Sequence, residues 1–283
     1  MKSGRRPAAG PPARVRSRAP GPKSRAPQEE GWQGWDDYAP FYDWENARTL
    51  GRRDVPFWLR MTGAVRGPVL ELGCGTGRVT MPLAHEGVHV VGVDRSAPML
   101  DRARRRVRRQ RRGVAPDLVR GDVRHLPFPE AAFQMAIAPY GILQSLLSER
   151  DLKATLADVA RVVEPDGIFG LELVADLPAW GEYRRRVSLS GRRSPAGAHV
   201  TLVESVRQDR DRGLTIFDQE FVERKGRHTR RRRFALTFRT LSVPQMTRRL
   251  EAAGFRTEAV LGDYQGGSWD RRAEVWIILA RKD

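Results

Sequence analysis

The feature that most constrains this chain is VLELGCGTG, residues 69–77. A short apolar strand, Val69 to Leu72, runs straight into a glycine loop, and a helix begins at once at Arg78. Glycines let the backbone turn tightly and approach a ligand closely. The helix start leaves free N–H groups at the same bend. Loops of this kind also occur in nicotinamide and flavin folds, so the neighbouring segments decide its meaning.

Those segments alternate strand and helix. Val88 to Val93 reads as a second strand, ending at Asp94, 17 residues after Gly77. A carboxylate there can accept hydrogen bonds from ribose hydroxyls. Leu118 to Arg120 is a third strand, followed by Gly121-Asp122, where a carboxylate can accept from an adenine amino group. Phe133 to Ala138 is a fourth, ending in Ala138-Pro139-Tyr140, and Ile168 to Val174 is a fifth after the turn Pro165-Asp166-Gly167. Helices are expected over Arg78–His85, over Pro98–Arg112 with Ser96 as cap, and over Asp151–Glu164. This order predicts an α/β fold with a doubly wound parallel sheet.

The period then changes. Tyr183–Leu189, His199–Arg207, Thr215–Glu223 and Arg230–Thr240 read as alternating, arginine-rich strands, so an antiparallel insertion is expected over about 177–240. Ser242 to Gln245 (SVPQ) has the form of a capping box, with Gly254 as the helix stop. Phe255–Leu261 and Glu274–Ala280 would be two closing strands. Upstream, the aromatic-dense Trp35–Trp44 precedes a helix opened by Asp54.

A chain of 283 residues suits one large domain, expected over 31–283. The lone Cys74 rules out an internal disulfide or a cysteine-based zinc cluster, and His85 and His89 share no metal-ligand context, so no metal is expected. The net charge is +17, yet arginine outnumbers lysine 46 to 5 along the whole chain. Such a skew fits compositional drift better than selection for one polyanion. Residues 1–30 are Pro/Ala/Arg-rich and poor in large apolar side chains, and are expected to form a disordered basic tail. The longest uncharged run, Ala131 to Ser148, carries Pro139, Gly141 and two glutamines, so no membrane span is expected. No apolar segment follows the basic N-terminus, which points to a cytoplasmic protein.

Taken together, VLELGCGTG (69–77), VVGVDRSAPML (90–100), RGDVRHLPF (120–128), the fourth strand with its Pro-Tyr, and VVEPDGIFGLEL (162–173) resemble the class I S-adenosylmethionine-dependent methyltransferases. The segment 254–281 is similar to that family's last two strands, and the likeness covers about residues 38–281. It implies a Rossmann-like seven-stranded sheet, here with the antiparallel insertion as a lid between strand 5 and the last helix.

The resemblance also implies roles. Glu71, Gly73 and Gly75 would line the methionine part of S-adenosyl-L-methionine. Asp94 would bind the ribose hydroxyls, and Asp122 would face the adenine amine with the Val123 backbone near the ring. Arg53, with Arg52 as an alternative, would pair with the cofactor carboxylate, and Tyr42 would close over the cofactor. His199, His125 and Glu172 are base candidates, and no catalytic residue is assigned. The Asn/Asp-Pro-Pro-aromatic motif of members acting on bases or amides is not matched, because Ala138 stands at its polar position. A small-molecule acceptor is therefore expected, anionic if Arg184–Arg186 and Arg230–Arg233 face it. The alternatives are an RNA or DNA methyltransferase using the basic surface, and a cofactor-binding protein without catalysis. Oligomeric state is left open.

Overall fold

The computed structural model describes residues 35–109, 114–174, 181–194, 197–273 and 275–283. The expected tail (1–30), the last residues of the arginine-rich helix (110–112), the first of the insertion (177–180) and Glu274 lie outside them.

Five parallel strands follow the expected order: β1 (Val69–Leu72), β2 (Val90–Asp94), β3 (Asp117–Arg120), β4 (Phe133–Ala138) and β5 (Val163–Val174). Then come β6 (Tyr183–Arg192), β7 (His199–Asp209), β8 (Leu214–Lys225) and β9 (His228–Arg239), and the closing pair β10 (Phe255–Leu261) and β11 (Val275–Lys282). One sheet has the order β10-β11-β5-β4-β1-β2-β3, with β11 antiparallel to both neighbours. All four residues of β1 are buried, as a central parallel strand covered on both faces requires. Because β1 to β5 run the same way, their carboxyl ends share one edge.

Among the described residues six α-helices flank the strands: α1 (Trp35–Asn46), α2 (Val55–Gly63), α3 (Thr80–His85), α4 (Ala97–Arg109), α5 (Glu149–Val162) and α6 (Val243–Ala252). Ser148 caps α5 by accepting from the Asp151 N–H at 3.0 Å. Ser242 and Gln245 form the expected capping box of α6. In α4, Met99, Leu100 and Ala103 are buried while the arginines lie on its more open faces.

The structure departs from expectation at β5. Pairing begins directly after α5, with Val163 opposite Phe133, and the register shifts before Met135 and Ile168 pair. The residues expected as a turn are taken up as an irregularity within the strand, with Asp166 at φ 59. Pro165 offers no N–H to a ladder, so a bulge accommodates it.

The four strands β6 to β9 form a separate antiparallel sheet in sequence order. One face packs on α1, where Tyr38, Phe41 and Trp44 meet Leu202, Phe221 and Leu236. The Phe41 and Phe221 rings stack at 4.3 Å. On the opposite face, Arg185, Arg231 and Arg233 gather on Glu220. Helix α1 is tied equally to the loop after β1 and to α4. Thr76 donates to Asp43 at 2.6 Å, Arg106 pairs with Asp43 at 2.8 Å, and Arg102 donates to the Pro40 carbonyl at 3.0 Å.

Candidate active site

A cavity of about 1810 Å³ lies between the carboxyl edge of the seven-stranded sheet, α1 and the four-stranded sheet. All eight residues proposed from the sequence line it. Gly73 and Gly75 form its floor at the end of β1 with φ of 64° and 55°, a region open to glycine at little cost. A Cβ on Gly73 would stand 2.7 Å from the Ile142 side chain. At Gly75 the nearest atoms to such a Cβ are 3.9 Å away, one of them an Asp94 oxygen, so a side chain there would fill the bend.

Asp94 ends β2 and accepts from the Gly75 N–H at 2.8 Å and the Ser96 N–H at 2.7 Å. Burial pushes its carboxyl above the usual range, and those two N–H groups oppose the shift. Asp122 stands beyond the neighbouring β3 with Val123 beside it. Arg124 donates to it from its backbone at 3.0 Å and from its side chain at 2.8 and 3.0 Å, and Arg95 adds a contact at 3.3 Å. Burial raises Asp122, but these arginines outweigh it and hold the carboxyl below its ordinary value. The two acids lie on adjacent strand ends, since Asp94 pairs with Arg120 in the ladder.

Glu71, on β1, accepts from the Thr80 hydroxyl and is pushed up to about 8 by burial. Arg53 lines the cavity with its Nε on the Leu50 carbonyl at 3.3 Å, and its terminal nitrogens have no partner among the described residues. Arg52 is exposed and outside the lining. Tyr42 faces Arg78, and burial raises its phenol.

A family profile described as a methyltransferase domain matches residues 69–167. The demethylmenaquinone methyltransferase of Lactobacillus johnsonii is 28% identical over 155 residues, 52% of this chain and 62% of that protein's length. The demethylmenaquinone methyltransferase of Renibacterium salmoninarum is 32% identical over 192 residues, 61% of this chain and 74% of its own length. The chain belongs to the S-adenosylmethionine-dependent methyltransferases. A solved member from Clostridium acetobutylicum shares the fold, with a TM-score of 0.73 at 18% identity over 87% of this chain and 99% of that one.

The residues of this methyltransferase fit the family's cofactor, because the bend at Gly75 is open where a side chain would block it and two acids stand on neighbouring strand ends. Sequence reasoning missed Arg78. Its guanidinium forks onto Asp54, which is fully buried, and lies 5.6 Å from the centre of the Tyr140 ring. Asp54 was legible as a helix start, yet it makes no side-chain cap; its carboxylate is taken by Arg78 instead. Of the base candidates, His199 and His125 are exposed and line no part of the cavity. Glu172 does line it. It accepts from the Tyr140 N–H at 3.1 Å and the Tyr264 hydroxyl at 2.9 Å, and burial pushes it up to about 7. Also missed were Glu45, Glu204 and Gln219, which line the cavity on the side of the four-stranded sheet. Their signal was available in β7, where Glu204 stands in the otherwise apolar row Val200, Leu202, Val206.

The arginines expected to favour an anionic acceptor do not face the cavity. Arg184, Arg185, Arg186, Arg230, Arg231 and Arg233 are exposed, and Arg232 lies 5.7 Å from the Phe41 ring centre. None of them lines the cavity; Arg231 and Arg233 are turned by strand alternation to the face of Glu220, while Arg186 and Arg232 are ladder partners of Glu204 and Phe221. His85 and His89 contact Glu86 and Asp117 separately, and no metal-holding group of three occurs among the described residues. No helix among them is long and apolar enough to cross a membrane.

Proposed function

We propose that the protein transfers the methyl group of S-adenosylmethionine to a small-molecule acceptor, with the four-stranded sheet as the lid of a single catalytic domain. The supporting observation is the size and placement of the cavity. At about 1810 Å³ it exceeds the roughly 300–1,000 Å³ of a usual single-ligand pocket, and it runs from the strand ends to the inner face of that sheet. Two ligands therefore fit end to end.

The cofactor supplies a methyl group already activated on a sulfonium centre. What the chain adds is alignment and exclusion of water. In this reading Asp94, oriented by the Gly75 and Ser96 N–H groups, receives the ribose hydroxyls. Asp122 and the Val123 backbone meet the adenine, while Glu71, Gly73 and Gly75 border the methionine portion. Arg53, with its terminal nitrogens unengaged, takes the carboxylate. Tyr42 covers the cofactor from α1. Glu172, near 7 and inside the cavity, is the group placed to hold an acceptor's proton.

The test is incubation of the full chain with isotope-labelled cofactor and a small-molecule extract, read by mass spectrometry. The expected result is a cofactor-dependent gain of one methyl on a low-mass compound. Label appearing only in polynucleotide would replace this reading by the nucleic-acid one. Cofactor binding without any transfer would support the non-catalytic alternative.

A further inference from the structure

Glu204, buried, and Glu45, half-buried, stand where no described residue gives them a cation. Glu204 on β7 is 9% exposed and Gln219 on β8 is 4% exposed, and they are direct partners across the ladder. Glu45 reaches them from α1. One nitrogen, Gln219 Nε2, donates to Glu45 Oε1 at 3.0 Å and to Glu204 Oε2 at 2.9 Å. The Tyr38 hydroxyl donates to Glu45, while Tyr183 and Ser188 donate to Glu204, the latter at 3.2 Å. Around them lie Leu202, Phe217, Leu236 and the α1 aromatics.

This arrangement is short of donors and of positive charge. Among the described residues, hydroxyls and one amide are all that face the pair; no lysine, arginine or histidine reaches either carboxylate. The other end of the Gln219 amide, Oε1, is buried with no donor at all. Taking carboxylates out of water costs several kcal/mol per ion unless a counter-charge is supplied. Burial and the proximity of Glu204 push Glu45 up to about 7. No described arginine forms an ion pair with either carboxylate, although Arg186 is the ladder partner of Glu204, whereas arginines cover Glu220 one residue further along β8.

We propose that the acceptor carries a protonated amine, and that its ammonium group seats among Glu45, Glu204 and the Gln219 amide oxygen. An ammonium brings three donors, no acceptor and one positive charge, which is what the cluster lacks. The surrounding apolar side chains suit a compact, largely apolar body behind that group. The inference rests on the methyl-transfer reading and identifies the acceptor class for its lid-side half.

The experiment is calorimetric titration of the full chain with cyclohexylamine and 2-phenylethylamine against their matched alcohols, cyclohexanol and 2-phenylethanol. Each titration is run with and without S-adenosylmethionine. At neutral pH each amine is expected to bind at least about tenfold tighter than its alcohol, a difference of roughly 1.4 kcal/mol. Glu204→Gln should bring the two within about twofold, and Gln219→Leu should weaken the amine while leaving the alcohol unchanged. Equal affinity of amine and alcohol for the wild type, or no measurable amine binding, overturns the proposal. So does a preference that survives in Glu204→Gln. The wild-type comparison stands even if a variant fails to fold. Cofactor affinity, measured in the same titrations, separates the failures. Its absence defeats the methyl-transfer reading, whereas its presence without an amine preference defeats the ammonium site alone.

Discussion

The two ends of the cavity hold their acids in different ways. At the strand-edge end, Asp94 and Asp122 are gripped by backbone N–H groups and by arginines, all within a few residues in sequence or on the next strand. At the lid end, Glu45 and Glu204 are held by hydroxyls and by one amide drawn from three separate elements, with no cation from the described chain. The first end is complete without a ligand and presents carboxylates ready to accept. The second has a need that the described residues leave unmet, which the proposed ammonium group would supply. A site can be read from what its protein leaves unsatisfied as well as from what it provides.

Four experiments test this contrast, in order of expected effect. Removing a cation at the strand-edge end should be severe. Arg78→Ala leaves the fully buried Asp54 without its partner and should cost about 3–5 kcal/mol of stability in denaturant unfolding. Arg53→Ala should leave stability within about 0.5 kcal/mol and act on cofactor affinity instead. If both variants unfold alike, the strand-edge end is not organised around the Arg78 fork.

The second effect is a pH slope. Glu71 moves from 4.5 to about 8 on folding, so the fold favours its protonated form. That contribution is complete below the unfolded value and is lost as pH rises through the folded one. Between roughly pH 5.5 and 8.5 the protein should lose about 3 kcal/mol from this group, and Glu71→Gln should remove that part of the slope. Glu45 and Glu172, each near 7, tilt the curve in the same direction, so some slope should remain. Thermal melts across the range check both statements, and a stability rising with pH in this window would refute them.

Third, Asp94→Ala should weaken S-adenosylmethionine binding by about 100-fold, or roughly 2.7 kcal/mol, through loss of two charge-assisted hydrogen bonds. Calorimetry reads it directly, and an unchanged affinity would remove Asp94 from the site. The smallest effect belongs to the outward face of the lid sheet. Arg231→Ala breaks a solvent-facing contact of 3.6 Å to Glu220 and should change stability by less than about 1 kcal/mol.

The same contrast explains what could be read in the sequence. The strand–glycine–helix bend and the acids after β2 and β3 were legible because chain continuity alone puts them there: a parallel strand must end at the common edge. The capping box at Ser242 was legible for the same local reason. The fork between Asp54 and Arg78 was not, since its members are 24 residues apart and each suits an exposed helix start. The lid strands were placed nearly to their ends, but the facing of their side chains was not. Arginine fills so many positions that alternation is blurred, which made an anionic acceptor look plausible. The start of β5 was misplaced because a Pro-Asp-Gly turn and a bulge have the same composition.

Tyr42 and Glu45 stand three residues apart on α1, less than one turn of helix. One looks toward the glycine bend, the other into the network with Gln219. The same rod is bolted through Asp43 to Thr76 and Arg106 on one side, and through stacked rings to β8 on the other. Rolling it by a single residue, about 100°, would withdraw both side chains together. If donor and acceptor of the methyl group lie as proposed, their pockets share one wall, and neither can be reshaped in isolation.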